Sequence, residues 1–301
     1  MSRAGSAVIV YAVGVTDAGR VRPTNEDGFV IADMSVDMAT ATLRGPRFNV
    51  GSRGILLAVS DGMGGAEAGE VASALALESL REHLDESCRA SDIMQSVKCA
   101  VEAANRDVVV AAREPSQVGM GATLVAVVVH RALAHIASVG DSRVYLIRDG
   151  EIRQLTKDQS YVEVLIGAGV ITREQALTSP YRNVILQAMG QRDTVMVALL
   201  RLTLRLGDVL LLCSDGLSNK VADDEMRRVV GESASHEQAC VRLVELANDR
   251  GGEDNITLVI AEVAGLELAK PTSSETVTGT IEVVQEFDPS KPSAGGRRAE
   301  K

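Results

Sequence analysis

The chain has no tryptophan and only three phenylalanines and four tyrosines among 301 residues, so aromatic rings cannot fill its core. With 46% hydrophobic residues, the interior has to be built from Val, Leu, Ala and Ile instead. Long apolar runs are missing too. No stretch reaches the roughly 18 apolar residues of a spanning helix, and no basic segment followed by an apolar run opens the chain. A cytoplasmic protein without membrane attachment is expected. The four cysteines, Cys88, Cys99, Cys213 and Cys240, are scattered with no Cys-x-x-Cys. Cys213 lies in an apolar run, so buried reduced thiols are expected rather than disulfides or a zinc site. Basic charge is short: the net charge is −10, which argues against a nucleic-acid partner bound by phosphate neutralisation. It leaves room for a phosphorylated substrate if a bound metal inverts the local field.

What is present centres on Ile55–Gly65, where a short apolar run ends in Ser60-Asp61-Gly62 and further glycines follow. Such a bounded run reads as a strand buried on both faces. Asp-Gly alone is commonly just a turn. A second copy changes the weighting: Val209–Gly216 is another apolar run ending in Ser214-Asp215-Gly216. Two strands delivering Ser-Asp-Gly suggest that Asp61 and Asp215 meet at one site, because a carboxylate at the mouth of a buried strand is costly unless a cation or donor meets it.

Along the chain, strands are expected at Val8–Val15, Phe29–Ala32, Ile55 onward, Ala122–His130, Leu133–Val139, Arg143–Arg148, Thr194–Leu206, Asp208–Ser214 and Ile256–Val263. Amphipathic helices are expected at Glu67–Leu84, Ser91–Arg113, Asp223–Val230 and Ser235–Arg250. Residues 155–190 are polar and mixed, with short helical pieces near Tyr161–Ile166 and Arg173–Leu177, and read as an insertion or flap. The domain is placed at 8–264. From Gly265 the composition turns to Thr, Ser, Pro, Gly and mixed charge, and 265–301 reads as a disordered tail. Strands and helices cluster rather than alternate, which favours stacked antiparallel sheets flanked by helices, an α+β class.

Four acids, Asp27, Asp61, Asp215 and Asp254, sit at turns or strand ends. With few histidines and no thiol cluster, carboxylates are the available ligands for hard cations such as magnesium or manganese. In order, the chain carries Arg22-x-x-Asn-Glu-Asp27, Asp61-Gly-Met-Gly-Gly65, Gly121-Ala-Thr123, Gly140-Asp-Ser-Arg143, Ser214-Asp-Gly216 and Asp254-Asn255. The ordered set, from about Val8 to Val263, resembles the type-2C metal-dependent serine/threonine protein phosphatases, particularly the bacterial branch.

The resemblance implies a four-layer α-β-β-α sandwich of two antiparallel sheets with a flap. It also implies hydrolysis of phosphoserine and phosphothreonine by water activated at a pair of Mn2+ or Mg2+ ions, without a covalent phosphoenzyme. The absence of Cys-x5-Arg after Cys88 and Cys99 agrees with that. By the same resemblance, Asp27, Asp61 (bridging), the Gly62 carbonyl, Asp215 and Asp254 would hold the ions. Glu26 would act through a water, Arg22 would clamp the substrate phosphate, and Asp141 would help hold a third, weaker ion. Phosphorylated proteins would be the partners. The chain departs from its relatives in three places. Met63 stands where animal-type members carry a histidine proposed as proton donor. In the flap, Asp158-Gln159-Ser160 and Ser179-Pro180 replace the frequent Asp-His-Ser and His-Pro. His83, His130, His135 and His236 match no motif. In the tail, Thr278 and Thr280 each precede an aliphatic residue by three positions, as in ligands of forkhead-associated domains; a solvated linker is the plainer reading. Two rivals stand beside the main reading: a catalytically silent phosphoprotein-binding regulator, and a phosphatase dedicated to one partner-switching regulator.

Overall fold

The computed structural model describes residues 8–35, 47–64, 68–87, 92–272 and 276–291. Gly65 and residues 36–46 therefore lie outside the described residues. In chain order the elements are β1 (Ile9–Asp17), β2 (Asp27–Asp33), β3 (Arg47–Asn49), β4 (Ile55–Met63), α1 (Ala68–Ser87), α2 (Ile93–Ala111), β5 (Gly121–Ala122), β6 (Leu124–His130) and β7 (Leu133–Val139). Then come β8 (Arg143–Arg148), β9 (Glu151–Gln154), α3 (Tyr161–Gly167), α4 (Arg173–Leu177), β10 (Ala198–Thr203), β11 (Val209–Cys213), α5 (Asp215–Ser218), α6 (Asp223–Glu232), α7 (His236–Asp249), β12 (Ile256–Ala264) and β13 (Ile281–Gln285).

The strands form two sheets, ordered β3-β1-β12-β11-β8-β9 and β13-β10-β7-β6-β4-β2, with β5 attached to β4. Every pairing is antiparallel. The near-continuous apolar runs now have a cause. Along β4, Ile55, Leu57 and Val59 point between the sheets, while Leu56 and Ala58 point at α1 and α2. Along β12, Val259, Ala261 and Val263 face the other sheet, and Ile256, Leu258 and Ile260 face the layer of α5, α6 and α7. A strand sealed on both faces has no polar side to show, which is why it reads as an unbroken run. The layers are therefore helix, sheet, sheet, helix, as expected. Among the described residues no helix is long and apolar enough to cross a membrane. Cys213 and Cys240 are buried free thiols, as expected, whereas Cys99 is an exposed one on α2; Cys88 lies outside the described residues.

The tail needs correction. It does not begin as a free linker at Gly265: Leu268 is buried in the inter-sheet core, and β13 adds to the edge of β10. Val277 and Ile281 pack against that core, and Arg201 pairs with Glu282 at 2.7 Å. The mixed composition concealed a short strand whose apolar residues are shared with a sheet edge. Among the described residues, parts of 265–272 and 276–285 thus pack on the body beyond 264.

Two smaller differences matter for the site. The Asp149-Gly150 hairpin leads into β9, whose mixed, half-exposed residues carry no strand pattern of their own. The two Ser-Asp-Gly copies also end differently: Asp61 and Gly62 stay in β4, whereas Asp215 opens the short helix α5.

Candidate metal centre

The carboxylates gather where the two sheets end side by side. Asp27 begins β2 and Asp61 lies directly across from it on β4 in register. Asp215 follows β11, and Asp254 precedes β12. Asp141 sits in the turn between β7 and β8. The strands from one sheet supply Asp27 and Asp61, and the other sheet supplies Asp215 and Asp254.

Local geometry explains why each stands there. Asn255 pins the loop before β2: its side-chain oxygen accepts from Glu26 N at 2.8 Å, and its amide donates to the Ala18 and Thr24 carbonyls. Gly62 N donates to the Glu26 carbonyl at 3.1 Å. A Cβ at Gly62 would run into the Gly69 and Glu26 backbone, so only glycine lets α1 begin so close to the site. Gly69, in the first turn of α1, likewise makes room for the Glu26 carboxyl. Ser214 Oγ donates to Asp27 Oδ2 at 2.7 Å and accepts from Thr257 N at 3.0 Å.

Electrostatics mark the cluster as unfinished. All five carboxylates keep a partial opening to solvent. Nevertheless the dense surroundings lift the pKa of Asp27 to about 7, of Asp141 to about 8 and of Asp215 to about 6. Asp61 is raised well above the usual range as well. Burial is the main cause in each case; the neighbouring acids add to it. Asp27 Oδ1 and Asp215 Oδ1 are buried with no hydrogen-bond partner. Buried oxygens without donors are costly, and a hard cation is the partner chemistry that suits them.

The acids are not yet arranged around an ion. Among the described residues no three His, Cys, Asp or Glu side chains form a ready ligand group. The reason is visible. Arg22 takes Asp254 through two contacts of 3.0 Å, Asn219 donates to Asp215 Oδ2 at 3.1 Å, and Ser214 holds Asp27 Oδ2. Arg22, which the resemblance implies as a phosphate clamp, is thus paired with Asp254 here while half of its side chain stays exposed.

The family model Protein phosphatase 2C matches residues 46–256. The chain belongs to the protein phosphatase 2C family. It is 37% identical over 267 residues to the serine/threonine protein phosphatase PstP of Mycobacterium tuberculosis, covering 88% of this chain and 47% of that protein. It therefore spans about half the length of that curated relative. It is 35% identical over 251 residues to a serine/threonine phosphatase, stp, of Listeria welshimeri, covering 82% of this chain and 93% of that protein. A solved structure of the PstP catalytic domain, in complex with two manganese ions, superposes with a TM-score of 0.70 at 35% identity, covering 85% of this chain and 99% of that chain.

Residues around the cluster divide clearly into those that reach it and those that do not. Met63 accepts from the Gln191 amide at 3.6 Å through its sulfur, and neither group can deliver a proton at that place. Glu253 turns away to Lys220. His83 pairs with Asp107 and His236 with Glu262, while His130 and His135 lie on or beside the β6–β7 hairpin; none reaches the carboxylates. Sequence reasoning named Ser214, Thr123, Ser142 and Gln159 within its motifs and departures but assigned them no role. The role of Ser214 could have been found, because the hydroxyl preceding a buried Asp at a strand end is well placed to donate to a neighbouring acid.

Proposed function

We propose that this chain is a metal-dependent protein phosphatase acting on phosphoserine and phosphothreonine. The observation that carries the reading is the pair of donor-free buried oxygens on Asp27 and Asp215 within a cluster of acids at the sheet edge. Asp27, Asp61, Asp215 and Asp254, with the Gly62 carbonyl, would hold Mn2+ or Mg2+, and Asp141 would assist a third ion. Bound ions of this kind neutralise phosphate charge and lower the pKa of water.

The chain's own residues do the rest. Ser214 and Asn255 fix Asp27 and the Glu26 loop. Glu26, whose carboxyl packs on Gly69, would act through a water at the cluster's rim. Arg22, now paired with Asp254, would be released to hold the substrate phosphate if Asp254 held a cation, and its planar fork suits phosphate oxygens. The leaving group takes its proton from water, since Met63 has none to give.

Phosphorylated proteins are the partners this reading requires. A forkhead-associated partner would have to read Thr278, which is exposed against Arg153; Thr280 is buried under Arg148. Binding there needs the strap Val277–Gln285 lifted from β10. A cytoplasmic location fits the reading.

The test is manganese-dependent phosphate release from p-nitrophenyl phosphate and from a phosphothreonine peptide, wild type beside Asp215→Ala. Activity abolished by EDTA and by the substitution supports the reading. Tight metal binding without turnover would replace it with a phosphoprotein-binding regulator.

A further inference from the structure

The flap is tied to the site by a pair of buried glutamines, Gln159 and Gln187. Gln159 stands where relatives often place histidine, and it is 1% exposed. Its side-chain oxygen accepts from Gly140 N at 2.9 Å and from Gln187 Nε2 at 2.9 Å. Its amide nitrogen donates to the Ser138 carbonyl at 3.1 Å. Its backbone N donates to the Gly140 carbonyl at 3.0 Å, and its carbonyl accepts from Leu186 N at 2.7 Å. Gln187, also buried, closes the other side by exchanging both amide hydrogen bonds with the Met196 backbone.

These contacts have a consistent direction. Gln159 is the last residue before the flap helix region, and Gln187 is among the first after it. Together with the Ser160–Ile185 bridge and the Tyr161 N to Val184 carbonyl bond, they cinch the two ends of 161–184 into a neck. The neck is moored to the Gly140–Arg143 turn, the turn that carries Asp141. Arg143 adds a bidentate pair with Asp158 at 2.6–3.2 Å. On its other side, the turn's Ser142 hydroxyl bonds Thr123 Oγ1 at 2.7 Å, and Thr123 Oγ1 accepts from Asp61 N at 3.0 Å. Flap neck, turn and the Asp61 strand end are thus one continuous hydrogen-bonded unit.

We propose that Gln159, clasped by Gln187, is a positioning residue that holds the flap neck against the Gly140–Arg143 turn and so fixes how the flap presents a phosphoprotein to the carboxylate cluster. Neutral histidine offers one donor and one acceptor, so it cannot supply two acceptor bonds and a donor bond in this pocket. The clasp is therefore tighter in this chain than that residue would permit. A substrate too small to reach the flap has no use for the clasp, whereas a phosphopeptide lying along the flap does.

The proposal rests on the phosphatase reading, and the experiment separates the two. Steady-state rates are measured on p-nitrophenyl phosphate and on a phosphothreonine peptide for wild type, Gln159→Leu, Gln159→His and Gln187→Glu. Backbone hydrogen exchange of residues 161–184 is followed in parallel. Expected for Gln159→Leu is a KM for the peptide raised about fivefold or more, with kcat/KM for p-nitrophenyl phosphate within about twofold of wild type. Exchange in the flap should accelerate about tenfold or more. Gln159→His should fall between, and Gln187→Glu should repeat the split even if Gln159→Leu does not fold. Equal losses on both substrates, or unchanged flap exchange, would overturn the clasp. A wild type inert toward both substrates would instead sink the phosphatase reading on which it stands.

Discussion

β8 and β11 carry buried charge at both ends, and the two ends are treated in opposite ways. At one end Arg148 and Asp208 are 5% and 0% exposed and pair bidentately at 2.7 Å. Further bonds surround the pair: Arg148 also donates to the Thr203 carbonyl and Thr280 Oγ1, and Asp208 Oδ2 accepts from Arg205 N. At the other end, just before β8 and just after β11, lie Asp141 and Asp215. There acid faces acid, and Asp215 Oδ1 has no donor at all. A saturated buried ion pair is architecture, since nothing remains for a ligand to bond. A cluster of like charges with orphaned oxygens is unstable by itself, and so reads as a place completed by a cation.

The largest expected effect comes from breaking the satisfied end. Asp208→Ala leaves the Arg148 guanidinium buried and unpaired and should cost about 3–5 kcal/mol in denaturant unfolding. Specific activity of the molecules still folded should remain near wild type. At the unsatisfied end the signs invert. Asp61→Asn should lower kcat on the order of 10²–10³-fold, while the metal-free protein becomes more stable, because a disfavoured buried charge is gone.

pH sharpens the contrast further. The raised carboxylates are protonated more readily in the folded chain than in the unfolded one. Their contribution to metal-free stability should therefore be greatest below about pH 4, where each group is neutral in both states. That contribution should fall as pH rises from about 4 and be fully lost above about 6 to about 8, the values of Asp215, Asp27 and Asp141. His135 works the other way. It is buried with neither ring nitrogen bonded, and burial, with Arg201 adding to it, lowers its pKa to about 4. Its share of stability is present above its ordinary value near 6.5 and is lost as pH falls from there to about 4. His135→Leu should remove a dependence of about 2–3 kcal/mol across that window in pH-resolved unfolding. The smallest effect is expected at the strap: Thr280→Val removes one acceptor from Arg148 and should cost about 1–2 kcal/mol. Hydrogen exchange should quicken first in β13.

Much of this is legible in the amino-acid sequence. The apolar runs of β4, β6 and β12 announce strands sealed on two faces, and the paired Ser-Asp-Gly ends announce a site shared by two sheets. What the sequence does not show is conformational divergence between identical tripeptides. After Ser60 the chain continues as strand because β5 pairs with Gly62 and Met63; after Ser214 it turns into α5, where Gly216 fits tightly against the Asn255 carbonyl. Those partners lie far along the chain, so no local propensity carries them. The strap is hidden for a similar reason. Val277, Ile281 and Thr280 look like linker residues until β10 and Arg148 are beside them. Gln159 stands out as a departure from the family pattern, but its side-chain and backbone partners belong to 138–140 and 186–187 and cannot be read from spacing.

The most direct test of the cation site is thermal unfolding at pH 8 with and without Mn2+, wild type beside Asp215→Asn. Mn2+ is predicted to raise the wild-type midpoint, metal-free Asp215→Asn to melt above metal-free wild type, and the variant to lose most of the Mn2+ gain. A wild type indifferent to Mn2+, or a variant that gains as much as wild type, would contradict the claim that these orphaned carboxylates are built for cations.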